Sequence, residues 1–409
     1  MTRKQQTILI LILGALSTVS PFAIDMYLPA FPVIAKDLGT TIAKVQLSLT
    51  SYFIGIAAGQ LLYGPLLDRY GRKIPLYIGL AAYIIASAGC AFTESVNALI
   101  AMRFLQALGG CAGMVAAQTL VRDIFPVERI AQAFSWIILV VAVSPMIAPT
   151  VGGYLTSGLG WPSVFLALAI LTTTILVLVY FVLPSGRPPD KTVSLKPRAV
   201  LKNFYTVIKQ PQFLTYSIAG GLAGAAPFAF IAGSPDVFIN LYHTSEQEYG
   251  WIFAAVGAVM IGGAQLNHVL LRRFKSEQIV YAAVLFQIVI GSLLMAIILS
   301  GLVDLVTLVA AVILFMSVHG LSNANSSALS LAPFSRHAGS AASILGTFRM
   351  SFGALVSALV SVFHDGTIFP MIIIMVLCAV SGFLLLMTGR SVIRFQARKD
   401  RQEETSVTI

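Results

Sequence analysis

Charged residues are scarce in this chain. Asp, Glu, Lys and Arg make up 10% of the 409 residues, whereas hydrophobic residues make up 57%. A soluble domain carries about 25% charged residues, so this composition excludes an ordinary soluble protein and predicts a polytopic membrane protein. The net charge of +10 does not indicate a nucleic-acid partner, because the basic residues lie in short loops between apolar segments, where they set membrane topology.

Cysteine is scarce as well, and several catalytic motifs are absent. Cys90, Cys111 and Cys378 all fall inside apolar runs, which indicates small buried hydrophobic residues rather than a disulfide framework or a metal site. The chain has no Walker pattern Gly-x-x-x-x-Gly-Lys-Ser/Thr, so an ATP-driven pump has no nucleotide site here. Because His-Glu-x-x-His, a Cys pair and Gly-x-Ser-x-Gly are also absent, we expect neither an enzyme nor a bound cofactor.

Long apolar runs are abundant. Runs of about 20 residues, the length that crosses the hydrocarbon core of a bilayer, predict twelve membrane spans. They lie at 7–28, 45–67, 74–93, 96–121, 130–157, 161–183, 213–239, 248–271, 277–300, 304–328, 339–362 and 367–389. The sequence thus predicts an all-α polytopic membrane protein with two pseudo-symmetric six-helix bundles, at 1–183 and 213–389, joined by a proline-rich linker at 184–212 and followed by a tail at 390–409.

The basic residues predict the orientation of these spans. Lys and Arg residues of the loops lie almost entirely on one predicted side, and the other side has only Lys36 and Lys44. Because cytoplasmic loops carry the excess of Lys and Arg, both termini and the linker are expected in the cytoplasm. The basic N-terminus resembles a signal peptide but has no convincing cleavage site, so we expect it to be retained.

Three residues are candidates for intramembrane charges, each of which costs about 2.5–3.5 kcal/mol at the bilayer centre. They are Asp25 in span 1, Arg103 in span 4 and Arg349 in span 11, and Asp236 lies nearer the end of span 7. At 1.5 Å per residue, Arg103 lies roughly 10 Å below the outer surface, a depth that Asp25 also reaches if its helix continues. The alternatives are a fixed ion pair between spans 1 and 4, a proton switch, and an Asp25 that is merely interfacial.

A short charged segment, Gly-Pro-Leu-Leu-Asp-Arg-Tyr-Gly-Arg-Lys, separates the second and third apolar runs. Such a segment is excluded from hydrocarbon and predicts a tight aqueous turn. We expect Gly71 to free the backbone for the turn and Gly64 to let a neighbouring helix approach closely. Asp68 beside Arg69 and Arg72 offers a carboxylate and basic groups that can bind other helix ends.

This segment resembles the signature loop of the major facilitator superfamily of secondary transporters. In addition, Asp-Met-Tyr-Leu-Pro-Ala in span 1 and Arg-x-x-Gln-x-x-Gly in span 4 resemble the Bcr/CflA group of drug/proton antiporters. The resemblance implies that Asp25 and Arg103, which occupy the matching positions, couple protons to drug export.

The resemblance also implies how the cytoplasmic gate is held shut. It implies that Asp123, at the end of span 4, contacts Arg69 or Arg72, and that Asp68 caps the helix starting near Ala338.

Span 5 contains Ser-Pro-Met-Ile-Ala-Pro-Thr-Val-Gly-Gly. Pro145 and Pro149 predict kinks, and Gly152 and Gly153 predict close helix packing. The segment resembles the antiporter signature of the superfamily, although Ser144 and Ala148 replace its glycines, and it favours antiport over symport. Without the other motifs, helix packing alone explains it.

Further residues are candidates for substrate contacts. We expect Arg349 either to bind an anionic or zwitterionic substrate group or to pair with carbonyls or another helix. Asp236 is either a cavity residue or a helix-end charge, and His319 is either a cavity residue or a packing residue. The complete set of expected substrate contacts is Met26, Tyr27, Tyr52, Gln106, Phe228, Phe230, Asp236, His319, Asn323 and Arg349. The expected gating residues are Gly64, Asp68, Arg69, Gly71, Arg72, Asp123, Pro145, Pro149, Gly152 and Gly153.

Together these features predict proton-coupled efflux of small amphipathic drugs, of chloramphenicol or bicyclomycin type, across the bacterial inner membrane by alternating access. Asp25 is the expected protonation site and Arg103 its modulator. The expected partners are the drug, protons and lipid, with no nucleic acid, metal or cofactor, and the protein is expected to be a monomer. The alternatives are a metabolite facilitator or symporter on the same fold and a membrane-embedded enzyme.

Overall fold

The computed structural model describes residues 3–184, 186–191, 204–334 and 338–407. Within these ranges the regular structure is helical and contains no β-strand. Twelve helical segments are long and apolar enough to cross a membrane. The predicted fold class is therefore confirmed.

In chain order, the helices are α1 Arg3–Asp25, α2 Phe31–Asp37, α3 Ile42–Tyr70, α4 Lys73–Ala91, α5 Val96–Ile124, α6 Val127–Leu159, α7 Pro162–Val182, α8 Pro211–Ala223, α9 Ala226–Pro235, α10 Glu246–Leu270, α11 Ser276–Leu299, α12 Leu305–Ser317, α13 His319–Leu331, α14 Ala338–Val362 and α15 Phe369–Val407. A 3₁₀ turn covers Leu28–Ala30, and a π-helical segment covers Asp236–Leu241.

Three of the spans are interrupted helices. Span 1, Gln5–Asp37, combines α1, the 3₁₀ turn and α2, and is longer than the predicted 7–28. Its break contains Pro29, which has no backbone N–H to donate. Span 7 is broken between α8 and α9, just before Pro227, and span 10 is broken between α12 and α13 at Val318. Interrupted spans free backbone groups that can serve a binding site.

The chain clusters into two compact units. The first comprises Met1–Lys196, Phe228–Val259 and Gly353–Met371, and the second comprises Pro197–Pro227, Met260–Phe352 and Ile372–Ile409. The domain boundaries predicted from the linker stay a prediction. The predicted tail is helical as far as Val407, because α15 continues through it.

Small residues let the helices of the first unit pack closely. Gly109 of α5 is an example, because a Cβ atom there would lie 2.6 Å from the backbone nitrogen of Tyr83 in α4. Ala107 and Cys111 of α5 are also buried, in close contact with α3. The core of α3, α4 and α5 places Arg103 and Gln106 in the interior of the unit, where neither side chain is exposed.

The second unit has its own apolar clusters. One consists of Tyr216, Ala219, Ala223, Val280, Val284 and Leu386, from α8, α11 and α15. Another consists of Val207, Phe213, Ala341, Ile344 and Leu345. The second cluster packs α8 against the first half of α14, the helix that carries Arg349.

Candidate functional site

The signature segment folds around Arg72. Arg72 Nε lies 2.7 Å from Asp123 Oδ2, and Nη1 lies 2.6 Å from Asp68 Oδ1. Of the two arginines expected as partners of Asp123, the structure thus pairs it with Arg72, and Arg69 lies over the ring of Tyr70. Burial alone would lower the pKa of Arg72, but the hydrogen bonds and charges of the two carboxylates raise it above its ordinary value, so the guanidinium stays charged.

The two glycines of this segment behave differently. Gly71 has a φ of +81°, in the left-handed region that favours glycine, as the predicted turn requires. A Cβ atom at Gly64 would meet no atom within 4 Å. The expected close helix approach at Gly64 is therefore wrong for the described structure, because the α3 surface is open there.

The beginning of the linker lies across this segment, which sequence reasoning missed. The backbone N–H of Arg187 donates to Asp123 Oδ2 at 3.1 Å, and that of Asp190 donates to the carbonyl of Asp68 at 3.0 Å. The contact was missed because it depends on backbone groups, which no side-chain pattern marks. The expected contact of Asp68 with the helix start near Ala338 lies outside the described residues, which omit 335–337 and the side chains of 338–339.

Arg103 is fully buried and is enclosed by aromatic rings. Its Cζ lies 4.1 Å from the ring centroid of Tyr52 and 4.4 Å from that of Tyr27. Nη1 donates to Gln106 Oε1 at 2.6 Å, and Gln106 Nε2 donates to Ser87 Oγ at 2.7 Å. Tyr27, Tyr52 and Gln106 thus hold the guanidinium in this structure, and their expected contact with substrate stays a prediction.

Asp25 does not form the ion pair that was considered with Arg103. Asp25 is the last residue of α1 and is 5% exposed. Within the described part of the chain, no cation lies within 4 Å of its carboxylate and no hydrogen bond to it is formed. The helix ends directly after Asp25. The guanidinium of Arg103 faces its tyrosine rings and Gln106, and its Nε and Nη2 have no hydrogen-bond partner among the described residues. Asp25 instead lies within electrostatic range of Tyr249, whose hydroxyl is 2.9 Å from Ser234 Oγ.

The paired glycines of span 5 meet two other elements of the first unit. A Cβ atom at Gly152 would collide with the carbonyl oxygen of Met26, in the break of span 1 next to Asp25. A Cβ atom at Gly153 would lie 2.6 Å from the carbonyl oxygen of Glu246, the first residue of α10. Pro145 and Pro149 lie inside the same helix, α6. The close packing predicted for this motif is present, and its partners are the break in span 1 directly after α1 and the start of α10.

Most of the apolar residues expected to contact substrate are packed in the interior. Met26 and Phe230 are buried, and the ring of Phe230 stacks on Phe253 with centroids 5.4 Å apart. Phe228 is partly exposed and packs edge-on against Phe53 at 4.7 Å. Substrate contact by these residues stays a prediction.

Asp236 is paired with a histidine that sequence reasoning did not identify. Its Oδ2 lies 2.8 Å from His364 Nε2, and its Oδ1 accepts from Asn240 at 2.8 Å. The hydrogen bond to Asp236 raises the pKa of His364, although burial opposes this. The pair is separated by 128 residues in sequence, so only the tertiary fold brings it together.

Arg349 pairs with span 10, as one of the two alternatives expected. Its Nη2 donates to the carbonyl oxygen of Asn323 at 3.2 Å and to the hydroxyl of Ser327. His319, at the start of α13, has a buried Nδ1 without a hydrogen-bond partner among the described residues. The structure therefore brings three expected residues, Arg349, Asn323 and His319, to one region of the second unit.

Comparison with known proteins gives consistent results. The model of the Major Facilitator Superfamily matches residues 13–358. The chain is 31% identical over 384 residues to the bicyclomycin resistance protein homolog of Haemophilus influenzae, covering 93% of this chain and 96% of the relative. It is 31% identical over 375 residues to the multidrug resistance protein MdtL of Escherichia coli, covering 91% and 93%.

A solved structure supports the same fold. The crystal structure of a mutant of the nucleoside transporter NupG superposes with a TM-score of 0.73 at 15% identity. The match covers 95% of this chain and 99% of that one. At this identity the likeness concerns the fold alone.

Proposed function

Because this multi-pass membrane protein belongs to the major facilitator superfamily of transporters, we propose that it exports small amphipathic drugs in exchange for protons by alternating access. Candidate substrates are chloramphenicol-like and bicyclomycin-like compounds, and the names of two relatives refer to bicyclomycin and multidrug resistance. We assign it to the bacterial inner membrane as a monomer, with both termini in the cytoplasm.

The observation that carries this proposal is the environment of Asp25. Its carboxylate is buried, has no partner among the described residues, and lies where α1 ends and span 1 is interrupted. An ionised carboxylate without a partner is costly in a medium of low dielectric constant. Such a group binds a proton when water is excluded and releases it when water or a cation gains access. Asp25 is therefore the proposed protonation site.

Arg103 is the proposed modulator of that site. Its ring contacts include Tyr27, which lies two residues after Asp25 at the break in span 1. A movement of this short segment changes the distance between Asp25 and the positive charge of Arg103. Since a nearby cation favours the ionised carboxylate, such a movement promotes proton release.

Two sets of contacts support the proposed gating. One is the Asp68–Arg72–Asp123 cluster with the linker segment 186–190. The other is the packing of Gly152 against Met26 and of Gly153 against Glu246. Because the second set adjoins Asp25, rearrangement there links access to the protonation state.

The test uses inverted membrane vesicles energised to an acidic interior, with the pH gradient followed by a fluorescent dye. Chloramphenicol and bicyclomycin are added to vesicles containing the wild type or Asp25→Asn. Asp304→Asn is the matched control, because Asp304 caps an exposed helix start where Asn is an equally good cap.

Drug-induced dissipation in the wild type and in Asp304→Asn, but not in Asp25→Asn, is the expected result. If neither drug dissipates the gradient and a metabolite enters passively, a facilitator replaces the antiporter. If dissipation survives in Asp25→Asn, antiport stands and Asp25 is rejected as the proton site.

A further inference from the structure

Arg349 places a positive charge near the middle of a span in the second unit. It lies in span 11, Ser340–Val362. Apart from residues 394–409, whose side chains are outside the described part, the carboxylates of this unit are Glu277 and Asp304. Glu277 lies 3.5 Å from Arg390, and Asp304 accepts the N–H of Thr307. Among the described residues of its unit, Arg349 therefore has no counter-ion.

Among the described residues, only one of the three guanidinium nitrogens of Arg349 donates hydrogen bonds. Its contacts with Asn323 and Ser327 both use Nη2. Nη1 and Nε carry three further N–H donors, which form no hydrogen bond within the described part of the chain. Arg349 is partly exposed rather than buried. Because Nη2 is bound to span 10, the guanidinium points toward that helix and not toward lipid.

The neighbouring helix presents a polar stripe to this arginine. His319, Asn323 and Ser327 are spaced four residues apart on α13 and therefore lie on one face. All three are partly exposed. His319 lies within electrostatic range of Arg349, and its Nδ1 has no partner among the described residues. The stripe starts at the break in span 10, and interrupted helices are typical of substrate sites in transporters.

A charged side chain in this position is expensive unless something compensates it, and intramembrane charges typically mark substrate pathways. Guanidinium groups bind carboxylates and similar anions through charge-assisted hydrogen bonds. We propose that Arg349, with His319 beside it on α13, forms a subsite for a carboxylate or comparable anionic group of the transported molecule. Among the amphipathic drugs proposed as substrates, acidic or zwitterionic compounds are then bound more tightly than their neutral counterparts. This inference deepens the proposed export function and rests on it, because it takes the bound molecule to be the exported substrate.

The test measures equilibrium binding to the purified full-length protein in lipid nanodiscs. The probes are two matched pairs: norfloxacin with its methyl ester, and chloramphenicol hemisuccinate with its methyl ester. Each ester keeps the scaffold and removes the anionic charge. We expect the wild type to bind each acid more tightly than its ester, and Arg349→Gln to weaken acid binding about 10- to 100-fold while ester binding is unchanged.

Three variants test a binding role against a purely structural one. Arg349→Lys keeps the positive charge but not the planar group, and should retain part of the preference for the acids. Ser327→Ala removes a side chain that holds Arg349 but leaves its charge, and should change acid binding less than about threefold. His319→Gln should reduce acid binding to a smaller extent than Arg349→Gln.

The proposal is overturned if the wild type shows no preference for the acid in either pair, or if Arg349→Gln retains the preference. It is also overturned if Ser327→Ala reduces acid binding as much as Arg349→Gln, since Arg349 then only holds span 11 against span 10. If Arg349→Gln does not fold, Arg349→Lys decides, and complete loss of the preference in that variant rejects the subsite.

The binding assay involves no proton gradient, so its failure is distinct from failure of the export proposal. The preference for acids should persist in Asp25→Asn, whose proton exchange is expected to be lost. Acid binding that depends on Arg349, without drug-driven proton movement in vesicles, would keep the subsite and reject antiport. The reverse pattern would keep antiport and reject the subsite.

Discussion

The enclosure of Arg103 by Tyr52 makes a quantitative prediction. The guanidinium lies 4.1 Å from the centroid of the Tyr52 ring, and both side chains are fully buried. A desolvated cation–π contact contributes about 2 kcal/mol or more. Because the ring makes this contact, Tyr52→Phe should preserve it, whereas Tyr52→Leu should abolish it.

A double-mutant cycle separates this contact from ordinary packing. Tyr52→Leu is combined with Arg103→Met, a neutral side chain of similar reach. The free energy of unfolding is measured by titration with a denaturing detergent. We expect a coupling energy of about 2 kcal/mol for Tyr52→Leu, equivalent to about 30-fold in the unfolding equilibrium. With Tyr52→Phe we expect a coupling below about 0.5 kcal/mol, the usual scatter of additive pairs.

One result would refute the reasoning. If the coupling energy in the cycle with Tyr52→Leu is also less than about 0.5 kcal/mol, the ring of Tyr52 does not stabilise the buried guanidinium of Arg103. The hydrogen bond from Arg103 to Gln106 would then be left to account for its position, and Gln106→Leu would become the informative variant.

Three further predictions concern other contacts of the first unit. Gly152→Ala should abolish transport because its methyl group meets a backbone carbonyl, whereas Gly158→Ala, with no atom within 4 Å, should leave transport intact; equal activity of the two variants would contradict this. Arg72→Gln should lower the free energy of unfolding by about 1.5–3 kcal/mol, since it removes charged hydrogen bonds to two carboxylates, and an unchanged detergent midpoint would argue against it. The raised pKa of His364 beside Asp236 predicts that this pair stabilises the fold fully below pH of about 6.5 and loses its contribution as pH rises through the elevated pKa. His364→Gln should remove that part of the pH dependence in thermal unfolding, and an identical pH profile in the variant would reject the assignment.

The sequence was informative about the spans and about local charge patterns. Twelve runs of suitable length predicted twelve spans, because a bilayer demands a minimum apolar length whatever the tertiary packing. The interruptions of spans 1, 7 and 10 were not predicted. A break of a few residues barely changes the hydropathy of a run, even where Pro29 or Pro227 marks it.

A contact of Asp123 with Arg69 or Arg72 was predicted from resemblance, and the structure contains the one with Arg72. The pairing of His364 with Asp236 was not predicted, although Asp236 was noticed. Both pairs join residues far apart in sequence, but only the first lies in a segment whose pattern resembles a known loop. A single histidine between two spans carries no comparable signal.

Asp25 and Arg103 show the limit of arguments from depth. Counting residues places two charges at similar depth in the membrane, but contact also depends on the rotation of each helix about its axis. The end of α1 directly after Asp25, and the two tyrosine rings around Arg103, are consequences of packing that a count does not contain.

The sequence by itself determined the membrane class, the twelve spans and the family, since these depend on apolar length and on motifs read within short segments. Only the tertiary structure decided which polar groups meet. It separated Asp25 from Arg103, placed Gly152 against the carbonyl of Met26, and brought Arg349 to the polar stripe of α13. The physical reason is that a buried polar group requires a partner. Helix rotation and packing, rather than position along the chain, determine which partner lies close enough.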